Sequence, residues 1–121
     1  MTETAQQRVL IVEDEMLVTI LLEDMLAELG FEVAGTASRV ANALPLVDTL
    51  TFDIAILDVN LAGEESFPIA DALAEKGCPY VFATGYGRKG IVPSHAHRPV
   101  ISKPFSTDDL KSAITTALQA A

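Results

Sequence analysis

The chain has 121 residues, half of them hydrophobic and 21% charged, which fits one globular domain with its own core and argues against disorder. A formal net charge of −9 repels phosphate backbones and anionic headgroups, so nucleic acid and membrane surfaces are excluded as partners. Cys78 is the single cysteine and allows no internal disulfide, while Met1 to Arg8 is polar and lacks the apolar core of a signal peptide. Both features predict a cytoplasmic protein.

In chain order, Val9-Leu10-Ile11-Val12 is an all-apolar, β-branched run that reads as a strand buried on both faces. After Asp14, the Leu-, Met- and Glu-rich stretch Met16 to Leu29 predicts a helix ended by Gly30. Phe31 to Ala37 is a second strand candidate. Ser38 is placed to cap a helix from Arg39 to Leu50, which Pro45 should kink or shorten. Ile54-Ala55-Ile56-Leu57 is a third buried strand, closed by Asp58. Ser66 to Lys76 predicts a short helix, with Pro68 in its first turn and Gly77 at its end. Pro79 to Ala83 and Val100 to Ser102 are the fourth and fifth strands. A last helix runs from Ser106 to Ala120, with Ser106 or Thr107 as cap and Asp108-Asp109 in its positive first turn.

Strands alternating with helices predict an α/β fold, and five such units fit the flavodoxin-like, doubly wound parallel sheet of order 2-1-3-4-5. One stretch breaks the alternation. Gly85 to Pro99 holds three glycines and two prolines where a fourth helix is due, which predicts a mobile loop with at most one helical turn.

The carboxyl ends of the strands carry Glu13-Asp14, Asp58, Thr84-Gly85 and Ser102-Lys103-Pro104, and the topology brings these to one rim. Two carboxylates about 4 Å apart repel by on the order of 4 kcal/mol at an effective dielectric near 20. Lys103 offsets part of that, and a hard, oxygen-preferring divalent cation such as Mg²⁺ would offset the rest. An aspartate in such a place can be a nucleophile toward a phosphoryl group, with Lys103 and Thr84 on the phosphoryl oxygens.

The order acidic pair, Asp, Thr, Lys-Pro resembles the CheY-like receiver domains of response regulators over essentially the whole chain. That resemblance implies that Asp58 is the phosphoacceptor, Asp14 a direct Mg²⁺ ligand, Glu13 the holder of a metal-bound water and Asn60 the donor of a backbone carbonyl to the metal. It implies that Thr84 is the switch hydroxyl, that Lys103 pairs with phosphoryl oxygens, and that Lys103–Pro104 is cis. Phe82-Ala83-Thr84-Gly85-Tyr86 narrows the match to the FATGUY type of single-domain response regulator. Two departures stand out. The aromatic that receivers carry three residues before the lysine is Val100 here, which leaves Tyr86 as a candidate moving aromatic. The alanine that follows the switch threonine in receivers is Gly85 here.

The family implies a phosphoacceptor whose catalysis extends only to its own phosphorylation and dephosphorylation. It implies a histidine kinase or histidine phosphotransfer protein as donor, and a downstream protein as target. Shuttle, phosphate sink and inhibitor remain open as modes of action, and the missing fourth helix predicts a monomer. A rival phosphatase reading fits poorly, because the nucleophile follows the third strand and no cap insertion exists. A flavodoxin-type cofactor binder would place a phosphate where Glu13-Asp14-Glu15 repels it.

Blander readings stand beside these. The acidic run alone could stabilise a helix start, and Asp58 alone could be a turn residue. His95-Ala96-His97 reads as a solvated loop rather than a metal site. The first helix is apolar on more sides than one sheet can cover, which fits packing on neighbouring helices and docking of a helical partner equally well.

Overall fold

The computed structural model describes residues 6–85 and 90–120. The apolar run at the start forms β1 (Arg8–Val12), followed by α1 (Met16–Glu28), β2 (Glu32–Ala37), α2 (Val40–Thr49) and β3 (Ile54–Asp58). A small antiparallel hairpin, β4 (Asn60–Leu61) and β5 (Glu64–Glu65), precedes α3 (Phe67–Glu75) and β6 (Tyr80–Thr84). Where a fourth long helix was due, the described residues hold a 3-10 turn at Pro93–His95, and β7 (Val100–Ser102) and α4 (Thr107–Ala120) complete the fold. The main sheet is parallel with order β2-β1-β3-β6-β7, which is the predicted 2-1-3-4-5 arrangement.

Strand periodicity divides the core between the two faces. Leu10, Val12, Ala55, Leu57, Tyr80 and Phe82 meet Ala43 and Val47 of α2 and Phe67, Ile69 and Leu73 of α3. Val9, Ile11, Ile54, Ile56, Val81 and Ala83 meet Leu22 and Leu26 of α1 and Leu110, Ala113 and Ile114 of α4. All five residues of β3 and all five of β6 are buried, which is why their sequences lack polar alternation.

Helix ends follow the sequence with one exception, the cap of α2. Gly30 adopts φ +90° after α1, and Phe31 N–H donates to the Leu26 carbonyl at 2.8 Å, a Schellman closure that needs a residue free of a Cβ. Ser106 Oγ accepts from Asp109 N–H and Asp109 Oδ2 accepts from Ser106 N–H, both at 3.0 Å, a reciprocal capping box. Ser38 does not cap α2: the cap position is Arg39, with no side-chain cap bond. Pro45 does not break α2, which continues through it to Thr49. The helix starts at Val40, so the ring faces Ala41, and only one internal hydrogen bond is forgone.

The hairpin was not foreseen. Its two-residue turn, Ala62-Gly63, takes φ +52° and +93°, the twist that suits tight antiparallel ribbons. Ala62 bears the strain of the left-handed region, roughly 1 kcal/mol. Its N–H donates to Asp14 Oδ2 at 3.1 Å, while Gly63 N–H donates to Asn60 Oδ1 at 2.8 Å. The loop after β3 is thereby tied to the end of β1.

Candidate functional site

Because β1 and β3 are parallel neighbours and the chain leaves them in opposite directions, a crevice opens at their carboxyl ends. Glu13, Asp14, Glu15 and Asp58 converge there, with one ligand atom from each lying within 4.8 Å of the others. Lys103, two residues beyond the middle of β7, reaches across. Its Nζ lies 3.0 Å from Asp58 Oδ2, 2.9 Å from Glu13 Oε1 and 3.8 Å from Glu15 Oε1. Only the Asp58 contact is a well-aligned hydrogen bond; Glu13 Oε1 is buried and pairs by charge alone. Among the described residues, Lys103 thus pairs with three of the four clustered carboxylates.

The charge imbalance is visible in the titration of the rim. Glu13 is pushed up to about 7, first by burial and then by hydrogen bonding with and repulsion from Asp58, which outweigh the pull of Lys103 and of the Glu15 N–H. For Lys103, burial disfavours the charge, but the neighbouring carboxylates of Glu13 and Asp58 win and the ammonium is stabilised above its usual range. A carboxyl held above its unfolded value stabilises the fold only while protonated. Its contribution is complete below pH ~4.5 and is lost as pH rises through about 7. In chelator, unfolding free energy should accordingly fall between pH 5 and 8 by on the order of 2 kcal/mol more in wild type than in Glu13→Gln. Denaturant titrations of both proteins across that range check this. Saturating Mg²⁺ should flatten the difference.

The donor set fits a hard divalent cation. It consists of carboxylate oxygens in excess of their cation, one of them buried without a hydrogen bond. Glu13, Asp14 and Asp58 come together as the sequence predicts, and Asn60 adjoins them, its N–H donating to Asp58 Oδ1 at 3.3 Å. Glu15, read in the sequence only as part of a helix start, belongs to the same cluster.

Asp58 faces two adjoining cavities. One of about 510 Å³ is lined by Asp14, Glu15, Asp58, Asn60, Gly85 and Lys103. The other, about 190 Å³, is shared by Asp58 and Asn60 with Thr84, Gly85, Glu65 and Gly90. Thr84 is buried at the end of β6, and its carbonyl accepts from Lys103 N–H at 2.9 Å, which fixes the threonine and the lysine relative to each other. Lys103–Pro104 is cis. Tyr86, the candidate replacement for the aromatic absent at Val100, lies outside the described residues.

His95 corrects the sequence reading. It is 3% exposed, not solvated, and the Tyr80 hydroxyl meets its Nδ1 while its Nε2–H donates to Asp71 at 2.8 Å. Its ring stacks on Phe67 and lies edge-on to Tyr80 and Phe82. Arg98 covers the Tyr80 ring at 4.3 Å. The stretch from Pro93 to Arg98 is thus anchored on α3 and β6. His97 is exposed, as expected. Cys78 is half-buried, and burial pushes its thiol up.

The family model for the response regulator receiver domain matches residues 9–115. The transcriptional regulatory protein PdtaR of Mycobacterium tuberculosis is 33% identical over 116 residues, which cover 93% of this chain and 57% of PdtaR. The chain therefore spans little more than half the length of that curated relative. The solution structure of SdrG from Sphingomonas melonis Fr1 superposes with a TM-score of 0.86 at 44% identity, covering 96% of this chain and 99% of SdrG. The BeF3-activated conformation of SdrG gives 0.81 at 43% identity over the same shares of the two chains.

Proposed function

The chain belongs to the response regulator receiver family, and from that premise we propose that it accepts a phosphoryl group on Asp58 in a Mg²⁺-dependent step and signals by protein contact. The observation that carries this reading is Asp58 itself, largely buried, with its carboxylate 3.0 Å from Lys103, and lining two adjoining cavities. The donor is a phosphohistidine on a histidine kinase or histidine phosphotransfer protein. Asp58 Oδ attacks phosphorus in line with the departing imidazole nitrogen. Lys103 pairs with one phosphoryl oxygen and the Thr84 hydroxyl hydrogen-bonds another. Asp14, Asp58 and the Asn60 carbonyl would hold Mg²⁺, with Glu13 on a metal-bound water, and the ion would supply charge neutralisation beyond that of Lys103. Solution of SdrG in a BeF3-activated conformation supports the reading, since that fluoride is a tetrahedral stand-in for a phosphoryl group.

The phosphoryl group brings nearly two negative charges to the cavity that Thr84 lines. Thr84 and Lys103 then move toward it, which presents a changed surface to a downstream protein. The chain turns over no external substrate in this reading; it catalyses only its own phosphorylation and dephosphorylation.

Donor docking has a candidate surface. On α1, Met16 and Leu17 are 77% and 82% exposed, and Ile20 and Leu21 continue the patch beside the rim. Neighbouring helices leave these residues uncovered, which favours an apolar helical partner over internal packing. Among the described residues no helix is long and apolar enough to cross a membrane, and the acidic charge disfavours nucleic acid. We place the protein in the cytoplasm as a monomer.

Intact mass after incubation with acetyl phosphate and Mg²⁺ tests the proposal. One phosphoryl adduct is expected on wild type and none on Asp58→Ala or in chelator; an adduct that persists on Asp58→Ala would refute it.

A further inference from the structure

Glu65 is not among the clustered carboxylates of the cation site, yet it lines the same 190 Å³ cavity as Asp58 and Thr84. Its position is set by the hairpin. Asn60 and Glu65 are directly opposed across the two strands, so their side chains share one face. Ser66 N–H donates to the Val59 carbonyl at 2.8 Å and Gly63 N–H to Asn60 Oδ1 at 2.8 Å, which closes the ribbon on either side of that pair. Glu64, the preceding residue, faces the other way by the alternation of a strand. The cavity is also open to water: a Cβ at Gly85 would meet nothing within 4 Å. Glu65 itself is exposed and loses little hydration where it stands.

A carboxylate beside an aspartyl phosphate repels the phosphoryl oxygens, so it does not help the group to arrive. What it can do is accept a proton from water. We propose that Glu65 is a general base that shortens the life of the phosphoryl group on Asp58, an inference that rests on the phosphoacceptor reading above. Water held by Glu65 attacks phosphorus, and its oxygen forms the new P–O bond. The bond from phosphorus to Asp58 Oδ breaks and its electron pair returns to the Asp58 carboxylate. The water proton passes to Glu65 and then to solvent, and inorganic phosphate leaves.

The test follows the decay of the adduct after acetyl phosphate is removed by rapid desalting in Mg²⁺. Glu65→Gln should accept the phosphoryl group at least as well as wild type and lose it roughly tenfold more slowly, a modest effect for a general base because the site is wet. Glu65→Asp should fall between the two, and Glu64→Gln, which changes the charge equally on the other face, should decay as wild type does. Decay of Glu65→Gln at the wild-type rate would overturn the inference and leave the acceptor reading intact. Equal slowing in Glu64→Gln would also overturn it, because the cause would then be net charge. No adduct on any of the four proteins would overturn the acceptor reading and this inference together.

Discussion

Lys103→Met is expected to slow phosphorylation of Asp58 by roughly 100- to 1,000-fold, the usual cost of removing one preorganised charge from a phosphoryl or oxyanion site. The geometry gives the reason. Lys103 is the cation that the described residues bring to three of the clustered carboxylates, and it is only 19% exposed, so its charge is poorly screened. Methionine keeps most of the stem volume, so the change isolates the charge. The same substitution should cost about 2–4 kcal/mol of stability at pH 8 in chelator, since removing one partner of a largely buried pair strands the other. The cost should shrink toward pH 5, where Glu13, already raised to about 7, takes up a proton and relieves the repulsion. Stopped phosphorylation time courses and denaturant curves at the two pH values measure both effects. Lys103→Arg should recover part of the stability and less of the rate, because a planar fork does not reproduce a compact ammonium.

His95→Ala is expected to destabilise the protein by roughly 3–5 kcal/mol, the range of large buried rings removed from cores. The substitution deletes contacts with Phe67, Tyr80 and Phe82 and leaves the buried Tyr80 hydroxyl without its imidazole partner. Asp71 is well exposed and rehydrates, so its loss adds little. Urea denaturation measures the effect. His95→Phe should restore much of the packing but not the Tyr80 hydrogen bond. Adduct formation on Asp58 should survive in both variants below their melting temperatures, because the ring lies against the start of β6 and the reacting rim is at its end.

These features differ in how plainly the sequence announces them. Ile54-Ala55-Ile56-Leu57 and Tyr80-Val81-Phe82-Ala83 declare buried parallel strands, because only a strand covered on both faces has no polar alternation. Once the strands are placed, topology alone carries Asp14, Asp58, Thr84 and Lys103 to one rim, although they span most of the chain. The hairpin was hidden because Ala62 holds a position where Asn or Gly would have signalled a tight turn, and because each strand is two residues long. Glu65 could be placed opposite Asn60 only with that hairpin in hand. His95 looked solvated because its partners, Tyr80 and Asp71, lie 15 and 24 residues away, and neither proline nor glycine nearby advertises an anchor. The exposed face of α1 could not be separated from a packed one, since its apolar residues fall on more than one side and leave no clear period to read. The apparent strength of Ser38 as a cap was a local preference that the backbone at Arg39 overrode.

The most direct test of phosphorylation at Asp58 is the position of the acyl phosphate. Protein treated with acetyl phosphate and Mg²⁺ is reduced with borohydride, which converts an aspartyl phosphate to homoserine, and the peptides are then sequenced by mass spectrometry. The account predicts homoserine at Asp58 and nowhere else, with none formed in chelator. Conversion at Asp14 or another carboxylate, or a borohydride-resistant adduct on His95 or His97, would contradict it.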